Sequence, residues 1–206
     1  MPRTTSISLP WPSRKITKMV PPTTSRRSIC VVDYDPEWPR VFARLRARIW
    51  PSVSDFTLGI EHVGSTAVPG LAAKPVIDID IVVAGRQEIP LAVERLTNLG
   101  YVHEGDLGIP DREAFDLPSG GPAHHLYVCP RESLALRSHL ALRDHLRAHP
   151  QDVAAYSVLK KRLAQEFTHD IARYVEGKSE FILAILAREG FSPDSVESIR
   201  KVNLKG

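Results

Sequence analysis

The sequence predicts an α/β fold of the α+β kind, a mixed sheet of about five strands with a helical layer at the C-terminal end. Three observations carry this. Short β-branched runs separated by Gly, Pro and Asp turns fill the middle of the chain, residues 76–83 being the richest in Val and Ile. Apolar residues recur at helical spacing before and between those runs, and beyond Pro130 the pattern is helical throughout. At 206 residues the chain is long enough for one domain with its own core.

Taken in order, Asp35-Pro36-Glu37 places an acceptor, a proline and an acid where a helix begins, and Val41, Phe42, Leu45 and Ile49 continue it, predicting a helix over 36–49. Residues 56–63 read as a strand closed by the Gly64-Ser65-Thr66 turn and the Pro69-Gly70 breaker. The strand over 76–83 follows. Ile89, Val93, Leu96 and Leu99 form the stripe of a second helix, which Gly100 ends. Residues 101–104, 112–117 and 125–129 are shorter strands of unassigned sense, and helices are expected over 132–148, 152–167 and 179–188, with Gly190 as the stop.

Residues 1–28 hold six cations and no acid, so a net charge of +3 leaves residues 29–206 slightly acidic. This argues against a shaped basic surface for nucleic acid. The Ser/Thr/Pro-rich segment itself has no helical or strand period and reads as a disordered tail, with order starting near Ile29. It is open to three readings: a simple extension, a basic tail touching RNA or membrane, or a targeting peptide, the last lacking the apolar stretch a secretory signal needs. Cys30 and Cys129 have neither disulfide-framework nor zinc spacing, and no apolar run approaches a membrane span, so a cytoplasmic setting is expected.

The chemistry concentrates in two places. Along a strand alternate side chains share a face, so Asp78 and Asp80 project together, roughly 6.6 Å apart along the backbone, while Ile77, Ile79 and Ile81 face the other way. Two carboxylates so placed repel unless a cation joins them, and Mg²⁺ or Mn²⁺ sharing phosphate oxygens fits. Upstream, Gly64 permits a close backbone approach, and the amides and hydroxyls of Ser65 and Thr66 are suited to cradle phosphate, with Lys74 as a nearby point charge. Together these are the parts of phosphoryl or nucleotidyl transfer. Arg112 is a further candidate phosphate contact. Arg143 and Arg147 share a helix face and stand either as a solvated face or partners of sheet acids or, with Lys160, as an anion clamp over a triphosphate. His103, His139, His149 and His169 have no ligand spacing and read as structural or exposed, and the adjacent His124 and His125 must point to opposite sides of their strand.

An apolar residue, Gly-Ser, a spacer and Asp-apolar-Asp-apolar resembles the signature of the nucleotidyltransferase superfamily. More closely, the chain resembles the GrpB family through Glu61-His62-Val63-Gly64-Ser65-Thr66-Ala67-Val68-Pro69-Gly70-Leu71-Ala72-Ala73-Lys74-Pro75-Val76-Ile77-Asp78-Ile79. Asp33, Pro36 and Trp38 precede that run, and Leu142-Arg143-Asp144-His145-Leu146-Arg147-Ala148-His149-Pro150, Tyr156, Leu159, Lys160, Leu163 and the Lys178–Phe181 stretch follow it, over about 31–188. The resemblance implies a nucleotidyltransferase-like fold and, in some bacteria, a relative fused behind dephospho-CoA kinase. It implies no settled reaction. Two departures stand out. The strand that carries a third carboxylate in active nucleotidyltransferases is matched by His124-His125-Leu126-Tyr127-Val128, which has no acid, and the family's His-apolar-His there is His125-Leu126-Tyr127, leaving His125 as one candidate metal ligand. Asp80 does supply the second acid of the superfamily pattern. The expected function is metal-dependent transfer of a nucleotidyl group from a nucleoside triphosphate to an unidentified acceptor, with Asp78 and Asp80 catalytic. The alternative is a non-catalytic phosphate- or nucleotide-binding module, linked to coenzyme A metabolism or a partner kinase.

Overall fold

Strand β2 (Ile77–Val83) lies at the heart of the sheet, between β1 (Thr57–Val63) and β5 (His124–Pro130). In this computed structural model, which describes residues 28–118 and 120–203, β4 (Glu113–Asp116) and β3 (Val102–Gly105) complete the order β1-β2-β5-β4-β3. Only the β2–β5 pair is parallel, the others being antiparallel, so the sheet is mixed as its sequence predicts. The predicted tail falls, but for Ser28, outside the described residues.

One face of the sheet is oily. Ile77, Ile79, Ile81 and Val83 pack under α1 (Trp38–Val53) and α2 (Ile89–Asn98), together with Leu45, Ile49, Leu96, Leu126 and Val128. Burying these side chains is the main force holding the layer together, at about 1.5–3 kcal/mol for each large one. Helix α1 begins later than Pro36 because Asp35 Oδ1 accepts from the Glu37 amide at 2.8 Å and makes a turn instead of a cap. It ends later than Ile49 because the stripe Leu45, Ile49, Val53 runs on, past Pro51 in the last turn.

The second face is covered by helices. Ser133 caps α3 (Leu134–Ala148), its Oγ accepting from the Leu136 amide. Then come α4 (Pro150–Glu166), α5 (Ile171–Arg188) and α6 (Pro193–Asn203). Val68 and Leu71, from the loop after β1, pack with Leu146, Val153, Tyr156 and Ile185, so that loop is gripped by the helices. Two expectations are corrected here. Helix α5 starts eight residues before Ser179, because Asp170 Oδ1 caps it through the Arg173 amide, and the chain resumes as α6 after the Gly190 stop.

His145 clamps the helices to one another. With 3% of its side chain exposed, it meets Asp152 at 2.7 Å through Nε2 and Glu189 at 2.6 Å through Nδ1, and it stacks on His149 at 4.0 Å. Both ring nitrogens face carboxylates. The bond from His145 holds the Asp152 carboxyl below its usual range. Its contribution is therefore present at neutral pH and is lost as pH falls through that depressed value. His145→Leu is expected to lower stability to urea at neutral pH by about 1–3 kcal/mol, and the gap to wild type should narrow in acid. A gap that stays constant down to acid denaturation would contradict this assignment.

Candidate functional site

The face of β2 opposite the oily core carries Asp78 and Asp80, and the parallel register sets His125 beside Asp78 and Tyr127 beside Asp80. The antiparallel register on the other side sets Val63 beside Asp78 and Glu61 beside Asp80. One surface therefore holds three acids, a histidine and a tyrosine, with the Gly64 turn at its edge.

Asp78 is half-buried, and its Oδ1 is 2.7 Å from His125 Nδ1. Its carboxylate lies over Gly64, where a Cβ would come within 2.1 Å of Oδ2. Glycine is required twice over at this position, because φ is also +68°. The Gly64-Ser65 turn and the first aspartate are thus in van der Waals contact, which the twelve-residue spacer in the sequence does not by itself dictate.

Asp80 has no exposed surface at all. His139, from α3, meets its Oδ2 at 2.7 Å through Nδ1, whereas Oδ1 is buried with no partner among the described residues. Burial works to lower the His139 pKa, but the charge and hydrogen bond of Asp80 outweigh it and raise the pKa above its ordinary value. A buried carboxylate oxygen without a donor is costly and calls for a cation, a water or a substrate proton. Among the described residues no three or more His, Cys, Asp or Glu side chains are grouped to hold a metal ion. The pair fits a hard cation that takes its remaining oxygens from a bound phosphate, the habit of Mg²⁺, better than one caged by protein alone.

The turn is fixed from both sides. Thr66 is fully buried, its Oγ1 donating to the Val76 carbonyl at 3.3 Å and meeting His62 Nε2 at 3.1 Å, so its hydroxyl supports the loop from within. Burial pushes the His62 pKa down to about 4 and keeps that ring neutral, stacked on Phe42. Ser65, partly exposed, accepts a 2.9 Å hydrogen bond from Lys160 Nζ of α4. Lys160 is only 2% exposed, yet it has no carboxylate partner among the described residues, and burial and the neighbouring Lys178 lower its pKa to about 7 despite Asp78. Lys178 of α5 is lowered to about 8 by burial and by Lys74, again against the pull of Asp78. Three lysines therefore crowd the turn. Gly177 brings α5 close to α4 here, since a Cβ would meet Leu163 at 2.5 Å.

Arg143 donates from Nη1 to Glu61 at 2.7 Å and to the His62 carbonyl at 3.1 Å, and it also pairs with Asp144. Arg147 donates from Nε and Nη2 to the Ala67 carbonyl. Both grip the β1 strand and the turn that follows it. Arg112 lies apart, its guanidinium 4.3 Å above the Tyr127 ring and its Nε buried without a partner. His124 points to the far side, bonded to the Tyr101 hydroxyl at 2.9 Å.

Two residues were not singled out from the sequence, and both had a signal. His139, Arg143 and Arg147 are spaced i, i+4, i+8, so one stripe of α3 faces the acids. Lys178 lies one helical turn beyond Tyr174, a position that the stripe Tyr174, Phe181, Ile185 brings toward the interior.

Gly64→Ala is expected to keep the fold and displace Asp78, seen by NMR as a shift of the His125 ring resonances, with any divalent-cation binding lost. Unchanged His125 resonances in a folded variant would contradict the contact.

Comparison with known proteins fits this architecture. The crystal structure of the conserved protein GrpB from Enterococcus faecalis superposes with a TM-score of 0.69 at 29% identity, covering 82% of this chain and 99% of that one. The Bacillus subtilis protein YqkA is 33% identical over 157 residues, 76% of this chain and 46% of its own length. A Streptomyces coelicolor relative is 37% identical over 158 residues, 77% of this chain and 82% of its own. The chain thus spans under half of one relative and most of the other. The family model described as GrpB protein matches residues 28–188, which include both aspartates, the Ser65 turn and the lysines that surround it, and the chain belongs to the GrpB family.

Proposed function

We propose that this chain binds a nucleoside triphosphate with a divalent cation and transfers the nucleotidyl group to a hydroxyl acceptor. The single observation that carries the reading is the contact between the acid pair and a lysine-ringed Gly-Ser turn, with Asp78 lying on Gly64 and Lys160 bonded to Ser65. Lys74, Lys160 and Lys178 supply a positive field that Asp78 offsets only in part, which suits the β- and γ-phosphates. Asp78 and Asp80 would hold Mg²⁺ or Mn²⁺, which when bound neutralises phosphate charge and polarises the α-phosphate. The acceptor oxygen then forms a bond to the α-phosphorus, the bond to the bridging oxygen of the β-phosphate breaks, and pyrophosphate leaves toward the lysines. The acceptor's proton is given up to water, because Asp80 Oδ2 is held by His139 and Oδ1, without a partner among the described residues, is the oxygen left for the cation. Arg143 and Arg147 keep the turn in place and contact the phosphates only indirectly.

A second reading, binding without transfer, is favoured by one observation. Beside the aspartates β5 presents His125 and Tyr127, and burial pushes the Tyr127 pKa up to about 12, so neither supplies the third negative charge.

Titration calorimetry with ATP, GTP, CTP and UTP in the presence of Mg²⁺ tests binding, and heat for at least one is expected. Silence from all four with folded protein would end the proposal. Asp78→Asn should abolish cation-dependent binding, and turnover surviving that change would overturn the assignment of the acids. Because Lys160 and Lys178 are part-neutral near pH 7–8, binding a polyphosphate should draw protons onto them, so affinity should fall as pH rises from 6.5 to 9, with proton uptake visible in buffers of differing ionisation heat. Lys160→Met removes a buried charge that has no counter-ion. It is expected to raise stability by about 0.5–2 kcal/mol while weakening triphosphate binding at least tenfold. A destabilised variant that binds normally would contradict both halves.

A further inference from the structure

Resting on that reading of the acid pair, the structure points to where the acceptor binds and to its chemical class. A cavity of about 470 Å³ lies between the 108–112 loop, α3 and α6. That size suits a small organic molecule. Its apolar walls include Ile109, Leu134, Ile199 and Val202, and its polar lining includes Arg112 and His139.

Its position follows from the two neighbours of β2. The lysine-ringed turn issues from β1, on one side of the acids, and contacts Asp78. The cavity lies on the other side and is linked to the acids through two lining residues, His139, which bonds Asp80, and Arg112, which covers Tyr127, the register partner of Asp80 on β5. In phosphoryl-type transfer the attacking and leaving oxygens stand in line across the phosphorus. With pyrophosphate leaving toward the lysines, the attacking hydroxyl must come from the β5 side, where the cavity lies.

The class of ligand follows from what lines the space. Arg112 is held by its face on Tyr127, yet its Nε–H is buried and unmatched, an expensive state that an anionic oxygen would relieve. The walls contributed by α6 and the loop favour an apolar body. We propose that the cavity takes a small hydroxyl compound with an apolar body and one carboxylate or phosphate group, and that this compound is the acceptor. A polynucleotide end is disfavoured, because such a chain needs a tracking basic groove, whereas the two cations here, Arg112 and Lys201, stand among aliphatic side chains and beside Asp111, which Arg86 holds in an ion pair.

Phenyllactate, phenyl phosphate and the neutral phenyllactamide serve as probes, followed by saturation-transfer NMR on the full chain without nucleotide. At least one of the two anions should bind, and whichever binds identifies the carboxylate or phosphate arm. Arg112→Gln should weaken that anion about tenfold or more, and Ser138→Phe, which fills the cavity, should abolish it while leaving the heat of triphosphate binding in place. The proposal is overturned if neither anion binds, if phenyllactamide binds as well as the anions, or if both variants bind undiminished. Failure of triphosphate binding with the anion response intact would instead sink the nucleotidyl reading and leave the cavity standing.

Discussion

The feature on which the site depends is a carboxylate removed from water with half its hydrogen-bonding capacity unused. Asp80 sits in the central strand with no exposure, one oxygen bonded to His139 and the other to nothing among the described residues. A buried negative charge in such a state costs several kcal/mol unless a positive group completes it. The surroundings are arranged to complete it only in part. The parallel pairing of β2 with β5 puts His125 and Tyr127 alongside the acids, and α3 lies across the same face with His139, Arg143 and Arg147 at successive turns. Of these cations the arginines are spent on Glu61, Asp144 and backbone carbonyls, which leaves the aspartates held by imidazoles alone.

A complementary imbalance lies one strand away. Lys160 and Lys178 are drawn out of water against each other and against Lys74, and Asp78 offsets only part of the repulsion. A fold selected for stability alone would place a carboxylate among them or replace them with apolar groups. An acid with one oxygen unmatched and lysines without an ion pair among the described residues stand on either side of one glycine turn, and the proposed polyanion with its counter-ion would relieve the strain in each half.

Much of this was legible in the residues. The alternation through Ile77-Asp78-Ile79-Asp80-Ile81 fixes one oily and one acidic face without reference to anything else, and the five strands and the first four helices fall close to where period and breakers put them, whereas α5 starts eight residues early. Adjacency of His124 and His125 was enough to send them to opposite sides, and they bond Tyr101 and Asp78 respectively. What escaped was long-range. Nothing local distinguishes His139 from a surface histidine, because its partner is 59 positions away and the i, i+4, i+8 stripe only gains meaning once α3 is known to cross β2. Lys178 was hidden for a similar reason, its environment being assembled from α4, α5 and the loop before β2. Helix α6 has no fully buried residue and a largely polar sequence, which left Gly190 looking like the end of the helical layer. The cavity it helps to close had no sequence signal.

The most direct test of the central claim is electron paramagnetic resonance of Mn²⁺ with a non-hydrolysable nucleoside triphosphate, comparing wild type with Asp80→Asn. The account predicts a protein-bound Mn²⁺ signal with phosphorus coupling that forms only when protein and triphosphate are both present and disappears in the variant. A spectrum identical to that of Mn²⁺ and triphosphate without protein, or one unaffected by loss of the Asp80 charge, would contradict it.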